Sequence, residues 1–227
     1  MDLLLQFVDI FLHLDAHLAD WAARLGPNLY LLLFAVIFCE TGLVVTPFLP
    51  GDSLLFATGA LVALSQAGTG AYPLSLGGMT ALLVAAAVIG DNLNYFIGSK
   101  IGAKIVAGSG RGSRWVRREH IDRTHRFYER YGGKTIIIAR FVPIVRTFAP
   151  FVAGLGTMSY RRFLGFSVAG GIAWVAGFLS AGYWFGNLPA VKSRFHWVIV
   201  AIILVSVLPA LIEMWRARSA DRAGAGA

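Results

Sequence analysis

The chain has 227 residues, of which 57% are hydrophobic and only 14% charged, against roughly 25% charged in an ordinary soluble domain. That composition excludes a disordered chain and argues against a conventional soluble enzyme, and the single cysteine, Cys39, excludes an internal disulfide framework or a Cys-rich metal site. The net charge is +8, and a chain both basic and very apolar points to a membrane protein before a nucleic-acid binder.

Residues 1–26 read as an amphipathic interfacial helix. Asp2, Gln6, Asp9, His13, His17, Asp20 and Arg24 recur at helical steps and form one narrow polar stripe. The remaining surface is Leu, Phe, Val, Ile and Trp21, which suits a helix lying in the membrane interface. Asp15 falls on the apolar side. The segment lacks the basic start of a signal peptide. His13 and His17 stand one turn apart, but the polar stripe explains them, and neither a metal site nor a cofactor is expected.

Residues 29–67 do not behave as a simple span. An apolar run ends at Glu40, and Pro47, Pro50, Gly51 and Asp52 follow in the middle of the apolar stretch. Proline lacks the N–H and clashes with the preceding turn, so a continuous helix stops there. Broken backbone at membrane depth is tolerated only where protein or a wet cavity surrounds it. The segment is therefore predicted to be a re-entrant helical hairpin with its tip at 47–52.

Next comes a stretch of 38 residues, 53–90, with no charge. A bilayer core needs about 20 apolar residues per spanning helix, and 71–99 is predicted to span. Residues 100–134 hold ten Lys/Arg against three acids, which is seven of the eight units of net charge. Cytoplasmic loops collect such residues. A phosphate-backbone patch for nucleic acid is the other reading of a basic run; the apolar flanks favour the membrane, and no nucleic-acid partner is expected.

Residues 135–158 repeat the interrupted pattern. Arg140 and Arg146 flank Pro143 symmetrically, and Pro150 and Gly154 break the run again. This is predicted to be a second re-entrant hairpin, entering from the cytoplasmic side because Lys134, Arg161 and Arg162 flank it. Residues 163–186 and 196–215 are predicted spans, with Tyr183, Trp184, Trp197 and Trp215 near their ends, where amphipathic rings favour the headgroup level. Residues 216–227 read as a disordered cytoplasmic tail. The Gly98/Gly102 and Gly182/Gly186 pairs read as close helix packing.

The expected fold is an all-α polytopic membrane protein. It has two re-entrant hairpins, about three full spans and an interfacial N-terminal helix, with 27–215 as the membrane domain. The two tips share an aromatic, a proline and then a charge, one acidic and one basic. That suits inverted-repeat transporters, whose paired broken segments meet near the midplane.

Charge at that depth needs an explanation. One ionised side chain at the bilayer centre costs about 2.5–3.5 kcal/mol on insertion scales. Glu40, Asp52, Arg140 and Arg146 left unpaired would together cost roughly 10–14 kcal/mol, as much as a domain's whole stability. A purely structural reading has two buried acid–arginine pairs locking the hairpins together. In the functional reading the arginines hold an anionic group, since the guanidinium fork binds phosphate bidentately and stays charged when desolvated. Glu40 and Asp52 are then the membrane-embedded acids that carry protons. Asp91 is either a hydrogen-bond partner for Tyr95 or the basic loop, or an accessory functional residue together with Tyr95.

Three ordered segments carry a resemblance. The first is Glu40 followed by Pro47-x-Leu49-Pro50-Gly51-Asp52-x-Leu54-Leu55, and the second is Gly90-Asp91-x-x-x-Tyr95-x-x-Gly98-x-x-x-Gly102. The third is Arg140-Phe141-x-Pro143-x-x-Arg146, with Pro150, Ala153, Gly154, Met158 and Phe163. Together they resemble the signatures of the DedA family of bacterial inner-membrane proteins, which is related to eukaryotic VTT-domain lipid scramblases. The resemblance covers about 29–186. Ile144 departs from it, standing where the family commonly has glycine.

The resemblance implies a multi-pass inner-membrane lipid translocase, linked to recycling of the polyprenyl-phosphate carrier of cell-wall synthesis and to the proton motive force. Arg140 and Arg146 would be its essential basic pair, and Glu40 and Asp52 its embedded acids. The expected partners are membrane lipid and protons. Oligomeric state is open, with a homodimer compatible, and 100–134 and the C-terminus are expected on the cytoplasmic side.

Three rival readings fit the same residues. One is a proton-coupled small-ion antiporter using the same acids, and another is a broad-specificity phospholipid scramblase. The third, a membrane lipid phosphatase, needs a nucleophile or metal cluster near a headgroup. His120 and His125 in the basic loop lie on poorly matched helix faces and lack an accompanying Ser/His/Asp set.

Overall fold

A computed structural model describes residues 14–43, 51–68, 72–106, 132–141, 143–186 and 188. The described residues form helices throughout, with no strand among them. Pro47 and Pro50, the histidines at 13, 120 and 125, most of the basic segment, the 196–215 span and the 216–227 tail lie outside the described residues.

Helix α1 covers Leu14–Leu25. Asp20 and Arg24 pair on its exposed side. Leu18 and Ala22 are buried in the main core, where α1 packs on the helix that starts at Gly51. Gly26 follows with φ of +52°, and its N–H donates to the Ala22 carbonyl. Only glycine adopts that left-handed turn without strain, so α1 ends there.

Helices α2 (Asn28–Gly42) and α3 (Gly51–Gln66) are the two halves of the first interrupted segment. Their 15 and 16 residues rise about 22–24 Å, less than the roughly 30 Å hydrocarbon core. Helix α4 spans Leu76–Val106 and α7 spans Tyr160–Gly186. With 31 and 27 residues they rise roughly 46 and 40 Å, enough to cross. Both contain a 26-residue apolar stretch of spanning character, Leu76–Ile101 and Tyr160–Phe185.

The sequence places the first span at 71–99, and the helix starts and ends later. Ser75 sets its start, because its hydroxyl accepts from the Gly78 N–H at 3.2 Å as an N-cap. It runs on to Val106 because Lys100 and Lys104 are good helix formers that do not interrupt the ladder.

The second interrupted segment is α5 (Lys134–Ala139), α6 (Pro143–Val152) and a π-helical turn, Ala153–Thr157. Pro143 opens α6, where a missing N–H costs nothing. Pro150 lies inside α6; it removes one hydrogen bond and crowds the preceding turn. The helix then widens into the π turn, a geometry frequent at functional sites.

Contacts fix how the short helices lie along the long ones. Tyr30, near the start of α2, accepts from the Ser75 N–H through its hydroxyl. Gly42, at the end of α2, lies against Gly90, halfway along α4. At the end of α3, Gln66 donates to the Leu74 carbonyl and accepts from the Tyr183 hydroxyl. The other segment lies at the opposite ends of α4 and α7. Gly133 packs on Phe166, Gly154 on the Tyr95 backbone, and Tyr95 stacks on Phe163 at 4.5 Å.

Glycines permit the tightest crossings. A Cβ on Gly59 or Gly182 would run into the Leu179 or Phe56 carbonyl across the α3–α7 contact. A Cβ on Gly98 or Gly154 would do the same against the Phe151 or Tyr95 carbonyl across the contact of α4 with α6 and the π turn. Backbone atoms cannot swing aside as a side-chain end can. Gly182→Ala is therefore expected to destabilise by about 1–3 kcal/mol, the usual cost of overpacking. Gly177→Ala meets nothing within 4 Å and should stabilise α7 by about 0.5–1 kcal/mol. Thermal melting of the two purified variants in detergent checks both signs.

Candidate functional site

The charged residues singled out by spacing converge where the short helices end, beside the middles of α4 and α7. Glu40 comes from the last turn of α2, Asp52 from the first turn of α3, Asp91 from mid-α4. Arg140 follows α5, and Arg146 lies in the first turns of α6. All five are buried.

They form two clusters. Arg146 lies between two acids: one Nη pairs with Glu40 and the other with Asp52 Oδ1 at 2.8 Å. Glu40 Oε1 also accepts from the Gly51 N–H at 3.2 Å, so this side chain from α2 caps the start of α3. Gly51 leaves room for this contact, because a Cβ there would occupy the position of the Glu40 carboxylate and push it off the helix start. Arg140 pairs with Asp91, whose other support is the Ser167 hydroxyl, donating at 2.6 Å.

Trp174 joins the clusters. Its Nε1–H donates to Asp52 Oδ1 at 2.8 Å. The guanidinium carbons of Arg146 and Arg140 lie 5.2 and 5.9 Å from its ring centroid. A cation at such a ring face gains about 0.5–2 kcal/mol, the upper value when desolvated.

Asn94, one turn beyond Asp91, ties both interrupted segments to α4. Its Nδ2 donates to the Thr147 carbonyl at 2.6 Å and to the Thr41 carbonyl at 3.3 Å. The Nε–H groups of Arg140 and Arg146, Glu40 Oε2 and Asn94 Oδ1 are buried without a hydrogen-bond partner among the described residues. A desolvated donor of this kind costs about 1–3 kcal/mol, and a spare guanidinium donor suits a multidentate anion.

Some expectations change here. Asp91 pairs with Arg140 rather than with Tyr95. A carboxylate buried at mid-helix requires a counter-charge, and the Tyr95 hydroxyl instead donates to the Met158 carbonyl at 2.8 Å. The four charges singled out first do not form two equal pairs. Both of those acids serve Arg146, so the full cluster has three acids against two arginines. Gly51 opens α3, Pro143 opens α6, and Pro150 is buried within α6. Ser167, Trp174 and Asn94 were not singled out by sequence spacing. Asn94 lies inside the second signature, and Ser167 and Trp174 stand seven apart on one helix face. A tryptophan midway along a spanning run departs from the interfacial preference of that residue.

Spanning helices that surround buried, paired charges define a helical membrane protein with a polar site inside its apolar body. The chain belongs to the VTT-domain family, the DedA proteins, whose domain pattern matches residues 49–184. It is 52% identical over 224 residues to "Protein DedA" of Escherichia coli K12, covering 98% of this chain and 99% of that one. An uncharacterised membrane protein of Mycobacterium tuberculosis H37Rv is 44% identical over 190 residues, 84% of this chain and 80% of its own. The inner membrane protein YqjA of Escherichia coli K12 is 28% identical over 232 residues, 98% of this chain and all of its own. No solved structure matches the chain.

Proposed function

We propose that this protein is a transporter, not an enzyme, and that it translocates a phosphate-bearing lipid, undecaprenyl phosphate foremost, across the bacterial inner membrane, coupled to the proton motive force. The observation that carries this reading is the pair of buried arginines beside the middles of α4 and α7, one held by one carboxylate and the other by two, each with an Nε–H left over. A static ion-pair lock has no use for spare donors. An anion-exchange site does: phosphate takes the guanidiniums, and the acids released from them take protons.

The path of the chain supports the reading. Helices α2 and α3 lie along the half of the bundle that holds the start of α4 and the end of α7. The α5–α6 segment lies along the other half. We read these as re-entrant hairpins from opposite faces, related as an inverted repeat, with their tips meeting at the site. Lys100, Lys134, Arg161 and Arg162 gather at one end of the bundle, which we place on the cytoplasmic side together with 100–134 and the C-terminus. The phosphate headgroup docks between the tips while the polyprenyl tail stays in lipid.

Reconstituted liposomes carrying fluorescent polyprenyl phosphate test the function, with small-ion flux measured in the same vesicles. Headgroup translocation accelerated by an imposed proton gradient is expected. Ion flux without lipid translocation would identify an antiporter, equal movement of all phospholipids a scramblase, and release of inorganic phosphate a phosphatase. Arg140→Lys and Arg146→Lys preserve charge but lose the bidentate fork. Each is expected to lower the initial translocation rate by about 10–100-fold, and rates near wild type would remove the arginines from headgroup binding.

A further inference from the structure

Two guanidiniums repel, yet Arg140 and Arg146 approach the same indole ring. Their counter-ions do not bring them together: Arg140 is held by Asp91, Arg146 by Glu40 and Asp52. Trp174 is the side chain they share, and it is 1% exposed. Packing alone does not require it, since leucine or phenylalanine would fill a helix contact in an apolar bundle. Nor is it an interfacial anchor, because it stands midway along α7. Its indole N–H is directed at Asp52 Oδ1, the oxygen that also receives Arg146 Nη1.

We propose that Trp174 is the positioning residue of the anion site. Its ring keeps the two guanidiniums close enough for one phosphate monoester to engage both. Its N–H stays on Asp52 when the phosphate draws Arg146 away, so the carboxylate is never left bare in the apolar interior. Removing the ring separates the arginines and turns one two-arginine site into two weaker one-arginine sites. The inference rests on the phosphate-lipid reading above for its ligand, and on the shared ring for its geometry.

The test uses the full chain in nanodiscs of phosphatidylethanolamine and phosphatidylglycerol, with farnesyl phosphate as the probe. Trp174→Phe keeps a weaker ring and loses the N–H; Trp174→Leu loses both. The half-saturating probe concentration is expected to rise about threefold for Trp174→Phe and roughly thirtyfold for Trp174→Leu. The maximal rate of polyprenyl-phosphate translocation, read in reconstituted liposomes, should fall less than the affinity. Unchanged affinity in Trp174→Leu, or a fall in maximal rate alone in both variants, overturns the proposal.

A second measurement needs no ligand. Arg140→Lys and Arg146→Lys are combined in a double-mutant cycle read by melting temperature. The two changes are expected to be non-additive with Trp174 present and additive in the Trp174→Leu background. Additivity in both backgrounds overturns the shared-ring geometry. If wild type does not bind farnesyl phosphate, the phosphate reading fails, and the cycle alone decides whether Trp174 couples the arginines. Where Trp174→Leu does not fold, Trp174→Phe carries the same comparisons with smaller shifts.

Discussion

Arg146→Ala is expected to be the most destructive single substitution in this protein. Arg146 is the counter-charge of both Glu40 and Asp52, which come from the two sides of the first interruption. Without it, Glu40 keeps the Gly51 N–H and Asp52 keeps the Trp174 N–H. Neither neutral donor replaces a full positive charge. Breaking one buried pair from one side costs about 3–5 kcal/mol, and here one residue serves two acids, while a whole domain has only about 5–15 kcal/mol to lose. Folded yield from membranes and the melting temperature in detergent read the effect directly. Restoring charge balance instead of the arginine separates electrostatics from shape. Arg146→Met combined with Glu40→Gln and Asp52→Asn should recover most of the melting temperature, because apolar or neutral replacement of a buried ion cluster is often close to neutral. The same triple variant should translocate nothing, since the anion site is gone. Arg146→Ala melting within a degree or two of wild type would show that the cluster does not hold the fold.

That asymmetry between Arg146 and Arg140 was not legible from the sequence, and the reason is physical. Spacing reports which charges lie at membrane depth, because an apolar run with one acid in it is conspicuous. It does not report pairing, which depends on where four separate helix ends meet. Glu40 and Asp52 are twelve residues apart across a break, and nothing local says that one arginine about a hundred residues later reaches both. Asp91 illustrates the same limit. Its neighbour at one turn, Tyr95, is the local candidate, but a buried carboxylate takes the charged partner from another element. The helices themselves were easier to read. Their limits follow local chemistry: Gly26 at a positive φ, Ser75 as a cap, Pro143 at a helix start. Trp174 was missed because an aromatic in an apolar run is ordinarily core, and only the two arginines over its ring distinguish it.

The separation into two clusters also suggests a division of labour. Arg140 and Asp91 balance each other, with Ser167 fixing the carboxylate. Arg146, Glu40 and Asp52 carry one negative unit when all are ionised. Only the second cluster changes from charged to neutral by taking up a single proton, and only it spans both interrupted segments, with Glu40 and Asp52 on one and Arg146 on the other. Asn94 fastens carbonyls of both segments to α4 just beside it. On the proposed reading, a proton arriving there would alter the charge contacts that, among the described residues, tie the two segments together, which is what coupling of a gradient to alternating access requires.

Glu40→Gln follows from that division and has the second largest expected effect. Glutamine keeps the acceptor oxygen that Glu40 Oε1 offers to the Gly51 N–H and to Arg146. It removes one negative charge from a cluster that has one in excess, so the variant is isoelectronic with the protonated protein. Stability should therefore change little, and the melting temperature should stay near wild type, in contrast to Arg146→Ala. Function should divide. On the proposed function, a site locked in its protonated state should still exchange the phosphate headgroup between leaflets down its own gradient, while an imposed proton gradient should no longer drive it. In liposomes with a pH difference, accumulation of polyprenyl phosphate in one leaflet should fall by roughly 100-fold or more, the loss of about 2.7 kcal/mol of coupling. Equilibrium exchange should stay within about tenfold of wild type. Gradient-driven accumulation that survives in Glu40→Gln would assign the coupling proton to another acid, and Asp52→Asn in the same assay would then be the variant that abolishes it.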